Sequence, residues 1–358
     1  MPAGDNLLAM CCWQEKQVVT DKKISWDHEI LEQLRGEAVY NIPRKCSKYC
    51  SLPGHIANER ERSHLDDIWD ASGKIKKLHL EQSLICNLTC ISCSSRYSSA
   101  WNTWYRHFDP GADIVKLKKY PETSWEMLDL SQLSSVHFTG GEPLMNGDNE
   151  KLLEHLSSIG RLNEVGLTYS TNGTIRPRTR LLELWSQARW VRLFFSLDGT
   201  GSTFEYTRYP AIWNEVRDNI AWFRELLGPC ILIEVNAIVG IHNLWNMPDF
   251  FRWWKKECQT GNQGDPSQIF VRSIEPVSVG GRCLSLQHLP KQFENAAVTV
   301  LESLGDLPGV DDVKANIASR PNMKWAEYFE NLDSLRKTNW RDSLTGPITE
   351  IIEGKQID

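Results

Sequence analysis

The feature that most limits the fold is a regular alternation of short apolar strands and helical stretches through the middle of the 358-residue chain. Strand-like segments run over Lys77–Ser83, Val136–Thr139, Val165–Thr171, Val191–Leu197, Ile231–Val239 and Ile269–Pro276. Each is short and rich in Val, Ile, Leu, Phe or Thr. Helical patterns lie between them, over Glu150–Ile159, Leu181–Ala188, Trp213–Leu227 and Pro248–Glu257. Parallel strands need a crossover, and helices in these positions supply it. The pattern therefore predicts an α/β fold, a partial (β/α)6 TIM-like barrel over residues 71–288. A small N-terminal cysteine-containing extension over 1–70 precedes it, with a polar, charged join over Ser51–Arg62. A helical C-terminal tail over 289–358 follows. No GxGxxG fingerprint follows the first strand, which argues against a dinucleotide-binding fold.

Composition narrows the partners. A net charge of -6 disfavours bulk attraction to nucleic acid or an anionic membrane. The longest apolar runs, such as Ile231–Val239, are broken by Glu234 and Asn236, far short of the ~20 residues a membrane helix needs. No basic stretch followed by an apolar one opens the chain, so a cytoplasmic location is expected. In that reducing setting the ten cysteines favour metal binding over disulfides. The fifteen tryptophans are read as core and interface packing. Cys230, Cys258 and Cys283 are isolated and read as buried small residues, although Cys283 stands beside Gly280, Gly281 and Arg282.

The chemistry concentrates in Cys86-Asn-Leu-Thr-Cys90-Ile-Ser-Cys93, directly after the first predicted strand. Thiolates are soft ligands suited to iron–sulfur clusters or zinc. Three on one loop can hold three corners of a cubane and leave the fourth iron without a protein ligand. A structural zinc would want a fourth ligand. The nearest downstream histidine is His107, and no CxxC partner follows. Zinc and unrelated free cysteines stay as the alternatives. This Cys-x3-Cys-x2-Cys loop after the first strand of a βα array resembles the signature of the radical S-adenosylmethionine (SAM) superfamily. The resemblance implies a [4Fe–4S] cluster on Cys86, Cys90 and Cys93, with SAM on the open iron. Ser92 departs from the pattern, which often has an aromatic residue there. Contact with adenine would then fall to backbone or to Tyr97.

Further motifs follow at successive predicted strand ends. Thr139-Gly140-Gly141-Glu142-Pro143 is similar to the family's GGEP motif, which holds the SAM amino group. Glycines let backbone approach a ligand closely, and Glu142 would add a carboxylate or orient the turn. Read alone, this is as readily an ordinary strand-end turn. Ser170-Thr171-Asn172-Gly173 and Ser196-Leu197-Asp198-Gly199 resemble polar strand ends placed around the SAM ribose and carboxylate. The resemblance assigns Ser170, Asn172, Ser196 and Asp198 to cofactor binding, with Asp198 on ribose or beside substrate. Arg208 is a candidate for bidentate pairing with the SAM carboxylate, against a surface helix-start arginine. Asn236 is a similar candidate, against a hydrogen-bonded core residue. The stretch Glu275–Arg282 suits backbone passing near the adenine. The rim formed by strand C-termini is where βα barrels place their chemistry.

Cys11, Cys12, Cys46 and Cys50 form a separate group around a helical pattern at Trp26–Arg35. The layout is similar to radical SAM proteins of the twitch or SPASM-like kind, which carry an auxiliary [4Fe–4S] cluster. Here the second pair is Cys-x3-Cys rather than Cys-x2-Cys, and zinc or no metal remain alternatives. The resemblance implies reductive cleavage of SAM to a 5′-deoxyadenosyl radical, an oxidoreductase or modifying activity, and hydrogen abstraction from a peptide or protein. It also implies a low-potential electron donor such as flavodoxin or ferredoxin. A nucleoside or small metabolite is the competing substrate. A zinc-stabilised binding module and an iron–sulfur electron carrier are the non-catalytic rivals. Leu332–Arg336 resembles the helical tails of the same proteins and suggests no chemistry.

Overall fold

The computed structural model describes residues 6–8, 17–19, 75–81, 83–95, 97–101, 104, 125–226, 231–259, 269–276, 284–318 and 325–353. Cys11, Cys12, Cys46, Cys50, Cys230 and Cys283, the join at 51–62, the helical pattern at 26–35 and the stretch 277–282 lie outside them.

Near the start, β1 (Asn6–Leu8) and β2 (Gln17–Val19) pair antiparallel. The main sheet holds six parallel strands: β3 (Lys77–Leu80), β4 (Ser135–Phe138), β5 (Gly166–Thr171), β6 (Trp190–Ser196), β7 (Ile231–Val239) and β8 (Ile269–Pro276). They lie side by side in chain order, the arrangement of a partial TIM-like barrel. A register shift between Val235 and Asn236 interrupts the β7–β8 ladder midway along β7. The crossover helices are α1 (Asp148–Ser158), α2 (Thr179–Trp185), α3 (Gly201–Thr207), α4 (Trp213–Leu226) and α5 (Met247–Gln259).

Side-chain alternation decides which face is core. Val136 and Phe138, Leu167 and Tyr169, Val191, Leu193 and Phe195, and Val235 and Ala237 are fully buried. They meet helix stripes at helical spacing, such as Val216, Ile220 and Phe223 of α4 and Met247, Phe250 and Trp254 of α5. On the other face His79 is exposed, and His137, Ser170, Ser196, Glu234 and Asn236 are half-buried. Parallel strands covered on both faces would be apolar throughout. Here one face is polar, so the concave side of the partial barrel remains accessible.

Beyond the barrel come α6 (Glu294–Glu302), α7 (Val310–Ala315), α8 (Trp325–Arg336), α9 (Trp340–Ser343) and α10 (Ile348–Glu353). They share the barrel's apolar core: one continuous cluster runs from Ile75 to Ile352. α9 packs against α3, where Thr203 and Ser202 donate their hydroxyls to the Ser343 carbonyl at 2.9 and 3.1 Å. Those bonds satisfy a carbonyl that the end of α9 would otherwise leave without a partner.

Candidate active site at the strand C-termini

The cysteine loop follows β3 and is held by its neighbours rather than by regular structure of its own. Thr89 and Ile91 donate their N–H groups to the carbonyls of Tyr209 and Thr207, each at 2.8 Å. Ser98 donates to the Leu88 carbonyl at 2.7 Å, and the Trp101 indole donates to the Cys90 carbonyl at 2.9 Å. These bonds fix a loop whose three cysteines line one cavity of about 310 Å³. Cys86, Cys90, Cys93, Gly140, Gly141, Ser170, Thr171, Asn172, Ser196, Arg208 and Ile238 all contribute to its walls.

The glycine turn after β4 owes its composition to that loop. A Cβ on Gly140 would sit 2.4 Å from the Ser83 carbonyl oxygen, and one on Gly141 would sit 2.1 Å from that of Ile85. Gly140 also has φ +90°, a conformation that favours glycine. Gly141 N–H donates to Ser83 and Glu142 N–H to Ile85, at 2.8 and 2.7 Å. The close approach that the sequence suggests toward a ligand is, in the fold, an approach to the backbone leading into Cys86.

Glu142 is buried and orients this turn. Its carboxylate accepts from Leu144 N–H at 3.1 Å, the Thr171 hydroxyl at 2.9 Å and Asn172 N–H at 2.7 Å. It thereby ties the ends of β4 and β5 together. Burial pushes its carboxyl up to about 7, while the three donated bonds and Arg208 pull the other way. Pro143 is buried at the start of the short turn that follows. The Asn172 amide donates to Asn87 at 3.0 Å and approaches Cys86 Sγ at 3.9 Å. Ser170 Oγ lies 2.8 Å from His137 Nε2.

Arg208 and Asp198 form a buried ion pair at 2.8 Å. Burial opposes the Arg208 charge, but Asp198 and Cys90 outweigh it and hold its pKa above the ordinary value. Asp198 also accepts from Ile238 N–H at 2.9 Å. Arg208 Nη1 stands 3.8 Å from Cys90 Sγ. The cation thus faces the cysteines, with Asp198 behind it and fully buried. Asn236 pairs with Ser196 across the β6–β7 ladder, and its carbonyl accepts from Leu197 N–H at 3.1 Å.

Of the residues suggested by sequence, Cys86, Cys90, Cys93, Gly140, Gly141, Ser170, Asn172, Ser196 and Arg208 come together around the cavity. Glu142, Pro143, Asp198 and Asn236 do not contribute to its walls. Ser92 and Tyr97 do, and so do Leu88, Ser98, Thr171 and Ile238, which the sequence reading passed over as individual site residues. Ile238 could have been found: it follows Asn236 by two, and period-2 alternation keeps it on the same face.

The donor set fits an iron–sulfur cluster. Burial pushes the Cys90 and Cys93 thiols up to about 12 and about 11, and raises that of Cys86, so the thiolate form needs a counter-charge to persist here. Among the described residues no group of three or more His, Cys, Asp or Glu side chains is arranged to hold a single metal ion, the cysteine triplet included. Three cysteines lining one cavity are the donor set that three corners of a cubane take.

The sequence model of the Radical SAM superfamily matches residues 80–253. A curated protein from Peptoclostridium acidaminophilum, "GTP 3′,8-cyclase", is 27% identical over 282 residues, covering 77% of this chain and 74% of that protein. "PqqA peptide cyclase" from Bradyrhizobium diazoefficiens is 26% identical over 175 residues, covering 48% and 41%. A solved structure of anSMEcpe with bound AdoMet is 18% identical at a TM-score of 0.44. That match covers 73% of this chain, which spans 63% of the solved one.

Proposed function

We propose that the chain, whose residues 80–253 match the sequence model of the Radical SAM superfamily, cleaves SAM reductively and uses the resulting radical to abstract hydrogen from a peptide or protein. The observation that carries this reading is the convergence of Cys86, Cys90 and Cys93 with the polar ends of β5 and β6 on one cavity. A [4Fe–4S] cluster bound there supplies the single low-potential electron that breaks the C5′–S bond of SAM.

Each wall of the cavity has its own task. Cys86, Cys90 and Cys93 hold three irons. Carbonyl oxygens of the Gly140–Gly141 turn accept from the SAM ammonium. Ser170, Asn172 and Ser196 offer hydroxyl and amide groups to its ribose and carboxylate. Arg208 faces the carboxylate and the cluster with a permanent positive charge, held in place by Asp198. Glu142 and Pro143 shape the turn from beneath, and Asn236 supports the β6 end. Leu88 and Ile238 are apolar walls that exclude water from the radical.

In this proposal, residues 1–70 form an auxiliary-cluster region of the twitch or SPASM-like kind, with Cys11, Cys12, Cys46 and Cys50 as ligands. Residues 71–288 form the catalytic barrel and 289–358 a helical region. Electrons come from a flavodoxin or ferredoxin in the cytoplasm. Among the described residues no helix is long and apolar enough to cross a membrane. The peptide reading draws support from the likeness to "PqqA peptide cyclase". A nucleotide is the second reading, favoured by the broader match to "GTP 3′,8-cyclase".

The test is anaerobic reconstitution of wild type and Cys90→Ala, with iron counting and 5′-deoxyadenosine measured under dithionite. The expected result is SAM cleavage in wild type and none in the variant. Unchanged turnover in Cys90→Ala would sink the assignment.

A further inference from the structure

The C-terminal helix α8 ends in an arginine that reaches the cysteine loop. Arg336 is 3% exposed, which is unusual for a permanent cation. Its Nη1 donates to the Tyr206 carbonyl at 2.8 Å, and its Nη2 donates to the carbonyl of Thr89, the residue before Cys90. Three aromatic rings surround the guanidinium: Tyr209 at 5.1 Å, Tyr206 at 5.6 Å and Trp104 at 5.9 Å. Tyr209 returns the contact by donating its hydroxyl to the Arg336 carbonyl at 3.2 Å. No carboxylate forms an ion pair with Arg336 among the described residues; its partners are carbonyl dipoles and ring faces. Arg208, by contrast, has its charge offset by Asp198.

We infer that Arg336 is a positioning residue: it clamps the cysteine loop onto the barrel and places an unneutralised cation behind Cys90 that favours the reduced cluster. The inference rests on the reading that the triplet holds a [4Fe–4S] cluster. Two physical arguments support it. A carbonyl held by a guanidinium cannot swing away, so Thr89, and with it the backbone of Cys90, is fixed. The loop is also fixed by the Ile91 N–H bond to Thr207 at the end of α3 and the Thr89 N–H bond to Tyr209 just beyond it, so Arg336, bonded to Tyr206 and Thr89, locks both partners of that contact at once. A positive charge in a dry, aromatic-lined position also acts on a nearby cluster with little screening, and cluster potentials follow local charge. The C-terminal region thereby becomes part of the active site.

The test uses the full chain, reconstituted anaerobically, with Arg336→Lys and Arg336→Met. Redox titration followed by electron paramagnetic resonance gives the cluster potential, and iron loss to a chelator gives loop stability. Arg336→Met should shift the potential to more negative values, while Arg336→Lys, which keeps the charge, should stay near wild type. Both variants should lose iron about tenfold faster, the effect of giving up one charged hydrogen bond to a loop carbonyl. A wild-type potential in Arg336→Met overturns the electrostatic part, and a wild-type iron loss in Arg336→Lys overturns the clamp. Should Arg336→Met fail to fold, Arg336→Lys still decides: iron loss faster at an unchanged potential supports the inference, and any other pairing overturns it. A wild type that binds no [4Fe–4S] cluster would instead refute the reading of the triplet itself.

Discussion

His242 allows a sharp test of the packing behind the site. It lies in the loop after β7, is 1% exposed, and neither ring nitrogen has a hydrogen-bond partner among the described residues. Burial, with a smaller contribution from Arg208, lowers its pKa from 6.5 to about 3. The folded protein therefore keeps His242 neutral at any pH above about 4, whereas the unfolded chain protonates it near 6.5. A group whose folded pKa is depressed in this way contributes stability above the unfolded pKa and loses it as pH falls. Between pH 7.5 and 5.5 the unfolded chain gains nearly one proton at this position. The loss is then about 1.4 kcal/mol, from ~0.1 at pH 7.5 to ~1.4 at pH 5.5. That figure does not depend on the folded value as long as it stays well below 5.5.

The perturbation is His242→Leu, which fills a similar volume with an apolar side chain and removes two polar atoms that lack partners among the described residues. Replacing an unsatisfied buried polar group by an apolar one is neutral or stabilising, so the variant should be at least as stable as wild type at pH 7.5. Urea unfolding followed by tryptophan fluorescence, with both proteins in the same metal state, gives the two stabilities at each pH. Other groups titrate over the same range, but they are common to both proteins and cancel in the difference of differences. Wild type should lose about 1.4 kcal/mol more than His242→Leu on going from pH 7.5 to 5.5. Equal losses in the two proteins would refute the reasoning and mean that His242 finds a partner or protonates in the fold.

Two further outcomes follow from the site's geometry. Asp198→Asn leaves Arg208 buried without its counter-charge, and should cost about 3–5 kcal/mol in urea unfolding; a change below about 1 kcal/mol would show that Arg208 is solvated. Gly141→Ala places a methyl on the Ile85 carbonyl, which backbone cannot yield, so the turn must leave the cysteine loop and iron per chain should fall. Wild-type iron content in that variant would remove the turn from any role in shaping the loop.

The strands and four crossover helices were legible because their signals are local. Apolar period and β-branched composition lie within each segment, and the six strands form close to the expected residues. Helix α3 was missed for the same reason. Its seven residues, Gly201–Thr207, are too short to show a period and contain a glycine and two threonines, poor helix formers. It is held instead by packing on α9, more than a hundred residues further along. Arg336 was missed on stronger grounds. An arginine at the end of a helix reads as solvated surface, and the carbonyl it reaches lies 247 positions away. The Gly140–Gly141 pair shows a subtler limit. Sequence states that no Cβ is tolerated, but a ligand and a neighbouring backbone impose that demand equally.

The order of the motifs was informative for a topological reason. The strands neighbour one another in the order β3-β4-β5-β6-β7-β8, all parallel. Each strand's carboxyl end therefore lies next to that of its predecessor, and succession along the chain becomes succession along one rim. The cysteine loop, the glycine turn, the Ser170–Asn172 end and Ser196 must then meet side by side, whatever their separation in sequence. In a doubly wound sheet the strand order reverses, and motifs at successive strand ends would be carried to opposite sides of a switch point. The same ordering explains why Asp198, two residues beyond Ser196, falls behind the cavity wall. Once the strand ends, the chain turns outward, and the fully buried carboxylate meets Arg208 from behind rather than the cavity. At this rim, Ser170, Thr171 and Ser196 contact the cavity from the ends of β5 and β6, Gly140, Gly141 and Asn172 contact it from just beyond their strands, and Asp198 holds Arg208 from behind.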